Sequence, residues 1–138
     1  MQEFVFYDGK FIEKEKASLP IMTHAFLYGT GVFEGIRAYY NKEENQLYAF
    51  RVKEHFERLM RSAHVMYMEN PFTIDKYCAN LKELLKKNNY RQDVYIRPNL
   101  FKAAEKIGPG LLNNKDSYLL FTLPMGDYID TAKGLNVC

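Results

Sequence analysis

The sequence predicts an α+β domain in which a largely antiparallel sheet is covered by two helices. Three observations predict it: two pairs of apolar runs joined by short turns, two amphipathic patterns between residues 53 and 88, and further apolar runs at 94–96 and 118–123. Hairpins pair strands in antiparallel fashion, and amphipathic helices bury their apolar faces against such sheets. A chain of 138 residues can bury a core of its own.

Two hairpins are predicted in the first part of the chain. The runs 4–7 and 10–12 flank Asp8-Gly9, a dipeptide typical of a type I′ turn. Residues 32–40 alternate as one strand, and residues 46–51 return beside it. One face of the 32–40 strand holds Val32, Glu34, Ile36 and Ala38, and the other holds Phe33, Gly35, Arg37 and Tyr39.

Two helices and two short strands follow. Across 53–68, apolar residues recur every three or four positions, which predicts an amphipathic helix with Arg58 off its apolar stripe. Thr73 is a good N-cap for the second helix. We expect strands at 94–96 and 118–123, each ended by a nearby proline.

The chain stops within an apolar, strand-like pattern at residues 134–138. An unpaired strand exposes backbone donors and acceptors, and natural domains avoid this. We therefore expect residues 1–138 to be a single domain of a chain that is cut short here.

Composition excludes several classes of function. A net charge of +2, with both signs interspersed, argues against nucleic-acid binding. Cys78 and Cys138 lie far apart, and the histidines lack metal-ligand spacing, so we expect reduced thiols and no metal site. No signal peptide or membrane-spanning stretch is evident, which predicts a soluble, cytoplasmic protein.

Candidate binding residues lie on the predicted strands. Gly35 indicates either a close approach by a ligand or another backbone, or a bulge. Arg37 beside Tyr39, and Arg97 beside Tyr95, offer guanidinium and hydroxyl donors that suit a carboxylate, with surface salt bridges as the alternative. By local sequence alone, Arg58 either holds a phosphate or is a solvated charge.

Four blocks in one order resemble the class IV pyridoxal-phosphate aminotransferases, and within them the branched-chain amino-acid aminotransferases: MTHAFLYGTGVFEGIRAY, EHFERLMRSA, VYIRP and PMGDY. The resemblance implies the small N-terminal domain of the D-amino-acid-aminotransferase-like fold. It also implies a cytoplasmic homodimer or higher homo-oligomer that uses pyridoxal 5′-phosphate. The implied reaction exchanges the amino group between leucine, isoleucine or valine and 2-oxoglutarate.

The resemblance further implies roles for individual residues. Arg58 would bind the 5′-phosphate of the cofactor. The implied substrate-site residues are Tyr28, Phe33, Gly35, Arg37, Tyr95, Arg97 and Tyr128. Among these, Tyr95 and Arg97 would take a substrate carboxylate. Phe33 would give an apolar wall, and Tyr28 would reach across a dimer interface.

In this family the cofactor is carried by a lysine of the larger domain, in a block that these residues lack. The resemblance therefore assigns no catalytic residue here and implies that the chain alone binds no cofactor and is inactive. Met125 stands where some relatives have an aromatic residue, and its flexible side chain makes the wall of the implied pocket less rigid. Alternatives are a D-amino-acid aminotransferase, an aminodeoxychorismate lyase or a non-catalytic module for acidic metabolites; Arg97 in its YIRP block argues against the first two.

Overall fold

A computed structural model describes residues 2–126 of the chain, which form one seven-stranded sheet with two long helices on one face. The elements, in order, are β1 (Phe4–Tyr7), β2 (Lys10–Glu13), α1 (His24–Tyr28), β3 (Gly31–Phe33), β4 (Ile36–Asn41), β5 (Gln46–Ala49), α2 (Val52–Val65), α3 (Ile74–Asn88), β6 (Val94–Lys102) and β7 (Asp116–Pro124). The strand order is β2-β1-β7-β6-β4-β5, and β3 also pairs with β6. Every pairing between these strands is antiparallel, which confirms the predicted fold class.

Both predicted hairpins are present. At the first turn, Asp8 and Gly9 have φ angles of 43° and 88°, and a type I′ turn requires positive φ at both positions. In the second hairpin β4 pairs with β5, although β5 ends at Ala49, before the predicted limit at residue 51.

The predicted strand 32–40 is interrupted at Glu34-Gly35, which corrects the sequence-based expectation. β3 and β4 pair with β6 in a single register, and the interruption lies opposite Pro98. The Glu34 amide donates to the Pro98 carbonyl at 3.1 Å, but proline has no N–H with which to return a bond. The loss of this one backbone hydrogen bond therefore separates β3 from β4.

Pro98 does not end its own strand, contrary to expectation. In a sheet, a residue whose backbone hydrogen-bonds to the strand on one side does not hydrogen-bond to the strand on the other side. The backbone of Pro98 faces Glu34, so no hydrogen bond between β6 and β7 is lost at Pro98. Its partner on β7 is Leu120, and the pairing continues to Lys102. β6 is consequently much longer than the predicted 94–96.

The two long helices pack on the face formed by the alternate residues Ile36, Ala38, Val94 and Ile96. Burial of Phe56 and Leu59 on α2, and of Leu81 and Leu84 on α3, confirms the amphipathic patterns. The hydroxyl of Thr73 accepts from the Lys76 amide at 3.3 Å, as expected of an N-cap. The helices within residues 2–126 fall short of the length and apolarity that a membrane crossing requires.

The short helix α1 was not predicted. Its single turn is too brief for helical periodicity to be visible, and Gly29 ends it with a φ of 65°. His24 is fully buried there, with its ring nitrogens 2.7 Å from Thr30 Oγ1 and 2.9 Å from the Gly108 carbonyl oxygen. Cys138 and the predicted strand at 134–138 lie outside the described residues.

Candidate active site

The face of the sheet away from α2 and α3, called here the open face, carries Arg37, Tyr39, Tyr95 and Arg97. Arg37 on β4 lies opposite Tyr95 on β6, and Arg97 follows Tyr95 on the same face. Arg97 Nη1 donates to Tyr95 Oη at 3.1 Å. The structure therefore unites two arginine–tyrosine pairs that the sequence placed on separate strands.

The Arg97 guanidinium stacks on an aromatic ring. Its central carbon lies 3.6 Å from the centroid of the Phe33 ring, within range of a cation–π interaction. Phe121 is the cross-strand partner of Arg97 on β7. A cation stacked on one ring, with remaining donors available, can bind a carboxylate beside an aliphatic group. The alternation pattern located Phe33 but gave no indication of Phe121.

Gly35 lies directly beneath Tyr95. A Cβ atom at this position would stand 3.0 Å from Tyr95 Oη and 3.3 Å from the ring. β3 and β4 keep one register across Gly35, so it is not an extra, bulged residue. The bulge interpretation of this glycine is therefore wrong, and the group that lies close to it is the Tyr95 side chain, not the ligand or backbone that was expected.

Arg37 has an unsatisfied donor. Its Nη1 donates to the Gly126 carbonyl at 3.3 Å, and its guanidinium lies 5.8 Å from the centroid of the Tyr39 ring. Its Nε is buried and has no partner among residues 2–126. An unpaired buried donor destabilises by about 1–3 kcal/mol, so an acceptor is to be expected at this point of the open face.

Arg58, on α2, is fixed by a carboxylate that the sequence did not single out. Arg58 Nε and Nη2 each lie 2.5 Å from a different oxygen of Glu34, and His55 Nδ1 lies 2.9 Å from Glu34 Oε2. The Glu34 side chain is only 6% exposed, whereas that of Arg58 is 60% exposed. The ion pair therefore orients a guanidinium whose outer part still faces solvent.

Hydrogen bonds from Arg58, and then from His55, hold the pKa of the Glu34 carboxyl below its ordinary value, and burial opposes them. Glu34 is thus ionised at neutral pH and leaves Arg58 Nη1, which has no hydrogen-bond partner within the described part of the chain, for another anion. An acidic residue on the buried face of an alternating strand was the signal available in the sequence, since a buried carboxylate needs a partner.

Of the two remaining tyrosines, Tyr28 is not brought into this group. Tyr28 lies at the end of α1, where its hydroxyl accepts from the Gly108 amide at 2.7 Å. Tyr128 lies outside the described residues. Within residues 2–126, no cluster of three or more His, Cys, Asp or Glu side chains could hold a metal ion.

The family described as amino-transferase class IV matches residues 31–137, a range that includes β3, β4, α2 and β6. The chain belongs to this family. A probable branched-chain-amino-acid aminotransferase of Aquifex aeolicus (strain VF5) is 41% identical over 133 residues, covering 96% of this chain and 43% of the relative. A branched-chain-amino-acid aminotransferase of Pseudomonas aeruginosa is 36% identical over 104 residues, covering 75% of this chain and 33% of the relative.

Solved structures of class IV members share the fold. The branched-chain aminotransferase of Thermoproteus uzoniensis with norvaline superposes with a TM-score of 0.87 at 33% identity, covering 94% of this chain and 43% of that one. The branched-chain amino acid aminotransferase of T.th., solved with pyridoxamine 5′-phosphate, gives 0.82 at 34% identity, covering 91% and 41%. The chain thus spans less than half the length of these relatives.

Proposed function

We propose that this protein is a pyridoxal-phosphate-dependent transaminase that exchanges the amino group between branched-chain amino acids and 2-oxoglutarate. The observation that carries the substrate assignment is the Arg97 guanidinium, bonded to Tyr95 and stacked on Phe33. Carboxylate donors and apolar rings in one place suit a site that must accept acidic and aliphatic side chains in turn. The T.th. relative has been solved both with 4-methylvaleric acid and with N-(5′-phosphopyridoxyl)-L-glutamate, which supports this pairing.

The residues present fit the cofactor. Arg58 carries a fixed charge, is oriented by Glu34, and keeps Nη1 free of partners in the described residues, which suits a 5′-phosphate dianion. When bound, pyridoxal phosphate supplies the electron sink for amino-group exchange. Relatives solved with pyridoxamine 5′-phosphate or in a pyridoxal-phosphate form support this choice of cofactor.

In the proposed site, each residue of the open face orients a ligand or limits its contact with water. Arg97 and the Tyr95 hydroxyl orient the side-chain carboxylate of glutamate or 2-oxoglutarate, Phe33 contacts an aliphatic side chain, and Arg37 lines the substrate side of the site and adds positive charge there. Gly35 leaves room for Tyr95. These groups bind and position; none of them is proposed to move the proton at the substrate Cα.

We further propose that these residues are the small domain of a longer chain whose larger domain carries the lysine. The share of the relatives' length that the chain spans supports this. Tyr28 would contribute from across a homodimer interface, and Tyr128 would join the substrate pocket. The 138-residue chain alone should show no turnover of leucine with 2-oxoglutarate.

Arg97→Ala in the full-length enzyme tests the substrate assignment. The loss of kcat/KM should be roughly 10-fold to 100-fold larger for 2-oxoglutarate than for 4-methyl-2-oxopentanoate, because hydrogen bonds to charged groups contribute about 1.5–3 kcal/mol and only the former has a second carboxylate. Steady-state kinetics with both acceptors measures the ratio.

Arg61→Ala is the matched control, since Arg61 is an exposed arginine of α2 outside the proposed site. It should leave both substrates unaffected. Equal losses for the two acceptors in Arg97→Ala would refute the role of Arg97. Absence of any leucine transamination by the wild-type, cofactor-loaded protein would refute the proposed function itself.

A further inference from the structure

A second cavity, of about 540 Å³, lies on the helix-covered side of the sheet, between the β4–β5 hairpin, the start of α2 and one side of α3. It shares no lining residue with the open face or with Arg58. Ligand-binding pockets for small molecules have volumes of roughly 300–1,000 Å³. The cavity is therefore large enough for a small molecule and separate from the proposed active site.

The floor of this cavity is apolar. It is lined by Leu47, Ala49, Val52, Cys78, Leu81 and Leu85. All but Leu81 are only partly buried residues packed against the core, so apolar surface is left accessible here. Contact with an aliphatic group would remove that surface from water, which favours binding.

The rim of the cavity is cationic. Lys53, Lys82, Lys86 and Arg91 line it, and no aspartate or glutamate does. None of these four side chains forms a salt bridge with another residue of the described range 2–126. Four positive side chains without a salt-bridge partner in that range, around an apolar floor, are complementary to a molecule with an aliphatic body and an anionic end.

We propose that this cavity, called here the cationic groove, binds an aliphatic carboxylate, with its chain on the floor between β5 and α3 and its carboxylate among Lys82, Lys86 and Arg91. The positive charge of the rim disfavours cationic ligands, and the apolar floor disfavours fully polar ones. The site is additional to the transaminase site and does not depend on it.

Cys78 gives a local readout, because its thiol lies in the floor of the groove. In the full-length protein, octanoate should slow alkylation of Cys78 by iodoacetamide in a saturable manner, measured by mass spectrometry of the Cys78 peptide. Octylamine, of equal length and opposite charge, should protect at least 10-fold less effectively. Arg97→Ala should leave the protection by octanoate unchanged, which separates the groove from the proposed substrate site.

Lys82→Glu/Lys86→Glu should raise the octanoate concentration needed for half-protection at least 10-fold. Lys76→Glu is the matched control, since Lys76 is exposed on α3 but does not line the groove, and it should have no such effect. Thermal unfolding confirms that each variant is folded, and transaminase activity should be unchanged in both. Equal protection by octanoate and octylamine, or an equal effect of Lys76→Glu, would overturn the proposal.

Discussion

The contact between Gly35 and Tyr95 determines which residue can occupy position 35. An alanine there would place its Cβ 3.0 Å from the Tyr95 hydroxyl, closer than side chains normally approach. The Tyr95 ring would have to shift by a few tenths of an ångström, and its bond to Arg97 would lengthen from 3.1 Å. Position 35 therefore acts on the proposed carboxylate site through Tyr95.

Gly35→Ala should raise the KM for 2-oxoglutarate several-fold while reducing stability by about 1 kcal/mol, at the low end of overpacking. Kinetics and urea unfolding of the full-length enzyme measure the two effects. Gly110→Ala is the control, because a Cβ at Gly110 meets no atom within 4 Å, and it should change neither. An unchanged KM in Gly35→Ala would contradict the role given to this contact.

Glu34 makes a prediction about pH. Arg58 lowers the pKa of the Glu34 carboxyl from its ordinary 4.5, so the ionised form stabilises the fold above that pH. This stabilisation is lost as the pH falls through the lowered pKa. The difference in unfolding free energy between wild type and Glu34→Gln should therefore be constant near neutrality and shrink below about pH 4.5. A difference that grows on acidification would contradict the ion pair.

Alternation of side chains was sufficient to predict which residues share the open face, because the period of a strand is local information. The partnership of Glu34 with His55 and Arg58 spans 21 and 24 residues, so it depends on how α2 packs. No local sequence pattern therefore predicts this partnership. The same limitation applies to Phe121, which reaches Arg97 only through strand pairing.

At the scale of elements, a buried ion pair joins the end of β6 to the start of β7. Lys102 is 2% exposed, with Nζ 2.8 Å from Asp116 Oδ1. The same ammonium group donates to the carbonyl of Tyr67, just beyond α2, at 2.6 Å. The Lys102 ammonium group thus connects β6, β7 and the segment that follows α2.

Lys102→Met should destabilise the protein by about 3 kcal/mol, because it leaves the Asp116 carboxylate without a counter-ion in a largely buried place. Adding Asp116→Asn should restore part of that loss. Urea unfolding of the single and double variants measures both. Lys115→Met, at an exposed lysine just before β7, should have almost no effect; a similar loss there would show that the ion pair is not responsible.

The elements that were predicted well have strong local signals, such as the Asp8-Gly9 turn and the Thr73 cap. The proline at position 98 misled because its effect depends on which neighbouring strand its backbone faces, and this is a property of the assembled sheet. α1 escaped prediction because five residues are fewer than two helical turns.

At the scale of the whole molecule, apolar side chains remain exposed on the open face. Leu19, Phe26 and Phe33 line one shallow cavity there and are 45%, 76% and 55% exposed. Contiguous exposed apolar surface of this kind marks an interaction site. Phe33 belongs to the proposed substrate site, and we propose that Leu19 and Phe26, near the Tyr28 that would reach across the dimer, lie in the homodimer interface.

Phe26→Asp in the full-length protein should therefore raise the dimer dissociation constant at least 10-fold, since an ionised carboxylate would be buried without a partner. Analytical ultracentrifugation over a concentration series measures this. Val65→Asp, at an exposed apolar residue on α2, should leave assembly unchanged. Unchanged assembly in Phe26→Asp would remove this surface from the dimer interface.

The dipeptide opposite Pro98 has one further consequence. Glu34 contacts the arginine proposed to hold phosphate, and its immediate neighbour Gly35 underlies the tyrosine proposed to hold carboxylate. A single peptide unit thus connects both ends of the ligand site. We expect binding at either end to shift that unit, so cofactor affinity and dicarboxylate affinity should be thermodynamically linked, each changing the other by the same factor.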